Sequence, residues 1–184
     1  MQLRKILRRL PKAGTVLVPA YSSFIELFRE QNIVTDDITV QNRQIVIKAE
    51  VSRLLTVLMS SLGDQPSALQ SLYESHDEEL LDAPVYVILE KPGGSDFNVI
   101  DAWSCLGMMA RTMDGAKLIY DQLSERLKNE LRGVAERSPN DPKLRPMKDN
   151  AAVTLDRLLT AGIKIENDER CELESIRDAL IACR

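Results

Sequence analysis

Aromatic side chains are scarce in this chain: three Phe, four Tyr and one Trp make up 4% of its 184 residues. The core must therefore be built mainly from Leu, Ile and Val. Stacking of bases on aromatic platforms is equally excluded as a main way of holding single-stranded nucleic acid. Histidine occurs once, in His76-Asp77-Glu78-Glu79. A hydrolytic metal centre needs at least three well-aimed ligands, often with a second histidine, and consecutive acids on a helix do not face one point. The segment reads as a solvated acidic loop. Cysteine is sparse too. Cys105, Cys171 and Cys183 are odd in number and lack metal-type spacing, which predicts a reducing compartment. No apolar run approaches the ~18 residues of a membrane span, and Arg8, Arg9 and Lys12 interrupt any signal-peptide core. The expectation is a cytosolic chain that is not exported and has no membrane partner.

Catalytic motifs are missing as well. The chain contains no P-loop, no dinucleotide fingerprint and no Gly-x-Ser-x-Gly elbow. Cys105 lies among Trp103, Leu106, Met108 and Met109 on a core-like helix, where thiols are inert. The tight acid pairs, Asp36 with Asp37 and Asp77 with Glu79, sit in turn-like contexts that give paired-carboxylate catalysis little support. The reading is a protein that is not an enzyme, with no catalytic residue, cofactor or metal.

What is present is an ordinary globular balance, 44% hydrophobic and 28% charged, at a one-domain length. Charge is unevenly placed. Residues 1–12 carry Arg4, Lys5, Arg8, Arg9 and Lys12 with no acid, so of the net −4 the remainder carries −9. Leu3, Ile6, Leu7 and Leu10 repeat at helical spacing opposite these cations, and Pro11 ends the pattern. A basic arm on an acidic body predicts an anionic partner, and the five cations are the candidate RNA-binding residues through salt-dependent phosphate attraction. Lys143, Arg145 and Lys148 extend that surface if they share its side. The plainer alternative is a cationic first helix that only aids solubility.

The expected fold is α/β. Strands are predicted near 15–18, 44–48, 85–89 and 163–165, forming a small, mostly parallel or mixed sheet of four short strands outnumbered by helices. Helices are expected from a Ser23–Glu26 capping box, from Glu50 to Leu62, over 67–75, from Asp114 to Glu136, from Asp149 or Asn150 to Gly162, and over 171–183. The organisation is a basic arm over 1–12, one domain over 13–165 and a charged tail or helix over 166–184. Leu80–Ala110 reads as its centre: a buried strand, the turn Lys91-Pro92-Gly93-Gly94, capping oxygens at Ser95 and Asp96, then a helix carrying Trp103. Glycines between strand and helix can present N–H groups to an anion. Asp96, however, would put a carboxylate where a phosphate belongs, and the turn reads better as a structural hinge.

The order of TVLVPA, QNRQIVIKA, LLDAPVYVIL with its Pro-Gly-Gly turn, the Trp-bearing helix and NAAVTLDRLLTAGIKI, over Thr15 to Ile165, resembles the packaging factor of cystoviruses, the double-stranded RNA bacteriophages. The resemblance implies a small α/β homodimer of the virion inner capsid, present in the host cytoplasm during assembly. It further implies aid to procapsid assembly and to packaging of genomic RNA, with the viral shell protein, polymerase and packaging ATPase as partners and viral RNA as a contact. The basic extension and the insert Gly63–Glu79 depart from that pattern, so no family residue is carried over. Two other readings stay open: a regulatory or adaptor protein binding through the amphipathic face of Leu118–Val134, and an enzyme using the Pro-Gly-Gly turn as an anion site.

Overall fold

Asp37 sets the course of the longest element. Its carboxylate accepts hydrogen bonds from the backbone N–H of Thr39 at 2.8 Å and of Val40 at 3.2 Å, satisfying two donors that a helix start leaves free. From there no glycine or proline interrupts the chain until Gly63, and a 24-residue helix results. The computed structural model describes residues 18–31, 34–62, 67, 72, 79–94, 96–137 and 144–182. Among them are eight α-helices and no strand.

After a 3-10 turn at Val18–Ala20 the helices are α1 Tyr21–Glu30, α2 Ile38–Ser61, α3 Asp82–Glu90, α4 Asp96–Met109, α5 Met113–Asp121, α6 Glu125–Glu136, α7 Arg145–Thr160 and α8 Asn167–Ala182. Local chemistry explains most of the ends. Thr112 caps α5 by accepting from Gly115 N–H at 3.1 Å, and Ser124 caps α6 by accepting from Leu127 N–H at 3.4 Å. Pro84 and Pro146 sit in first turns, where a missing N–H costs nothing. Lys91 ends α3 in the left-handed region, with φ of 44°. The 3-10 turn Pro92–Gly94 then leads to α4.

α4 is the hub. It packs against α2, α3, α5 and α7, and α7 in turn carries α8. Val99, Ala102, Trp103, Cys105, Leu106 and Met109 are buried on it. A polar seam fixes α4 to α7: Asn150 donates to the carbonyl of Ile100 at 3.2 Å, Thr154 to that of Trp103 at 3.1 Å and Arg157 to that of Gly107 at 2.5 Å. Donors four and three apart meet acceptors three and four apart, so the two helices run parallel. Gly107 permits the approach, since a Cβ there would stand 3.1 Å from Thr154 Oγ1.

The α/β expectation is thus overturned, and each predicted strand has its own reason. Residues 44–48 lie inside α2, where the Asp37 cap starts a helix that β-branched residues do not stop. Residues 85–89 lie inside α3, which is covered by α2, α4 and α6. A helix walled in on several sides is apolar on several sides, and so mimics a buried strand. Residues 163–165 are an unpaired connection from α7 to α8, with Ile165 plugged into the core. Of 15–18, only Val18 is described, and it lies in the 3-10 turn.

Boundaries shift too. Ser23 and Glu26 are exposed positions within α1, whose N-cap, Ala20, has no side-chain cap. The helix expected over 114–136 is two, because the Ser124 hydroxyl restarts the chain. α7 begins at Arg145 rather than at Asp149 or Asn150. α8 begins at Asn167 and buries Leu173, Ile176 and Leu180. Of 67–75, only Ser67 and Leu72 are described, both helical.

Candidate interaction surface

The predicted site residues come first. Arg4, Lys5, Arg8, Arg9 and Lys12 lie outside the described residues, as do Lys143, Ser95 and His76-Asp77-Glu78. Glu79 pairs with Arg29. Arg145 is exposed in the first turn of α7. Lys148 is no phosphate contact: it is 3% exposed and donates to the carbonyls of Ala135 at 3.2 Å and Arg137 at 2.7 Å, a cation closing the C-terminus of α6. Asp37 is spent as a cap. In the Pro-Gly-Gly turn Lys91 pairs with Glu130 at 2.6 Å and Arg53 donates to the Pro92 carbonyl, so the nearby cations serve the protein's own groups. Cys105 is fully buried, and burial pushes its thiol up to about 12, far from the thiolate that nucleophilic chemistry requires.

The face over Leu118–Val134 is consumed internally, with Ile119, Leu127, Leu131 and Val134 all in the core. Beside it lies the densest charged cluster. Lys128, 6% exposed, holds Glu125 at 2.8 Å and Glu169 and Glu172 at 3.1 Å; Arg132 also pairs with Glu172, and Tyr120 donates to Glu169 at 2.6 Å. The Glu125 bond comes first among the causes that raise Lys128, and the Tyr120 bond first among those that lower Glu169. These charges pin α8 to α6. Among the described residues no group of His, Cys, Asp and Glu could hold a metal ion, and no helix is long and apolar enough to cross a membrane.

The feature that sequence reasoning passed over is the first half of α2. α1 runs antiparallel to α2: Tyr21 donates from its hydroxyl to Met59 Sδ at 2.9 Å, and Phe28 lies near Lys48. Lys48 Nζ stands 5.0 Å from the Phe28 ring centroid and 4.5 Å from that of Tyr86, two rings that meet edge-on. There the packing of the described residues onto α2 ends. α2 continues for ten residues beyond Lys48, about 15 Å, with no buried residue before Ala49. Thr35 runs beside it, its carbonyl accepting from Gln41 Nε2 at 2.6 Å. Ile38 is 71% exposed, Ile45 58% and Val46 63%; Val34, Val40 and Ile47 are exposed as well. On one side Thr39, Asn42, Arg43, Val46 and Ile47 line an open hollow of about 450 Å³. Large exposed apolar side chains gathered on one short segment mark an interaction site more often than an accident of composition.

A signal for it existed in the sequence. An aspartate directly before an apolar run without glycine or proline is a helix start, and it stood at Asp37. No protein-family model, no curated protein and no solved structure matches this chain, and nothing there identifies a cystovirus packaging factor.

Proposed function

We propose that this is a non-enzymatic helical protein that works by docking, and that the projecting half of α2 is its docking element. One observation carries the reading: Ile38, Ile45 and Val46 stand in solvent on an unbroken helix whose continuation buries Val51, Leu55, Val57, Leu58 and Met59 in the core. Surface substitutions usually shift stability by less than about 0.5 kcal/mol, whereas buried apolar ones cost several times that. At about 1 µM protein, Ile45→Ser/Val46→Ser should melt within about 2 °C of the wild type and bind less anilinonaphthalene sulfonate. A fall of more than about 6 °C would place these side chains in the chain's own core and end the proposal.

Assembly of a viral inner capsid is a more specific form of the same reading. Its support is the run of cations Arg4, Lys5, Arg8, Arg9 and Lys12 together with the order of apolar segments. The α/β fold implied with it does not hold. RNA retention on a filter that is absent, or insensitive to salt, would remove it.

A further inference from the structure

We draw no further inference here: the strongest candidate, the exposed apolar face of α2 around Ile38, Ile45 and Val46, is the surface already proposed for docking, and nothing in the structure shows what covers it.

Discussion

The two halves of α2 are one helix in two environments. Beyond Ala49 it buries Val51, Leu55, Val57, Leu58 and Met59, none more than 7% exposed, against α1, α3 and α4. Before Lys48 it carries as many large apolar residues and leaves them in solvent. Hydropathy does not separate the halves. What separates them is reach: α1 stops level with Lys48, and no helix among the described residues covers the rest. An apolar side chain becomes core only where a neighbour arrives to meet it, and where none arrives the same chemistry becomes an invitation to bind.

The widest gap between the halves should appear on truncation. Leu58→Ala, at a position with 0% exposure, removes buried methyl groups and leaves a cavity, and should cost about 2–5 kcal/mol in urea unfolding. Ile45→Ala in the projecting half should change stability by less than about 0.5 kcal/mol. Equal costs at the two positions would erase the distinction.

How much of this was legible beforehand follows from the same contrast. The packed half, Glu50 to Leu62, was readable because Leu54, Leu55, Leu58 and Leu62 repeat at helical spacing and favour no other element. The projecting half misled, since Gln44-Ile45-Val46-Ile47-Lys48 is β-branched and short, and such a run satisfies a strand as well as a helix. The same ambiguity hid α3, where Val87 and Ile88 are buried while Val85 and Tyr86 lean on other neighbours. Fold class went wrong at these two places. The α4–α7 seam was beyond reach altogether. Nothing local shows that Asn150, Thr154 and Arg157 will find the carbonyls of Ile100, Trp103 and Gly107, some fifty positions back. Lys148 deceived for a related reason: a cation beside a proline-rich loop looks solvated until the end of α6 comes to rest on it.

A second, smaller contrast sets the packed half of α2, held by apolar contact, against the α6–α8 seam, held by charge. Glu169 lies below its ordinary 4.5, first through the Tyr120 hydroxyl and then through Lys128, and Glu125 lies below it through Lys128. A carboxylate with a lowered folded-state pKa adds stability above its ordinary value and loses it as pH falls through the lowered one. Lys128 is raised, so its contribution holds below 10.5 and is lost only at higher pH. Asp82, at the start of α3, goes the other way. Burial first, then Glu79, raises it, so its protonation in acid favours the folded state. Acid should therefore loosen α8 while firming the start of α3. Tyr120→Phe reads the first effect. It should cost about 1 kcal/mol near pH 6, and that cost should shrink as pH falls below 4.5, as followed by thermal melts of both proteins. A cost independent of pH would show that Glu169 does not carry the bond.

The smallest expected effect is the one that best isolates the projecting half. β-branched residues lose rotamer freedom on a helix, and Ile and Val form helix less readily than Ala by a few tenths of a kcal/mol each. Where they are buried, packing outweighs that cost many times over. At Ile45 and Val46 no packing among the described residues does so. Ile45→Ala/Val46→Ala should therefore raise the stability of the dilute protein, by less than about 1 kcal/mol in total, visible as a small upward shift in melting temperature near 1 µM. A variant less stable than wild type even when dilute would mean that these side chains already pack against their own chain.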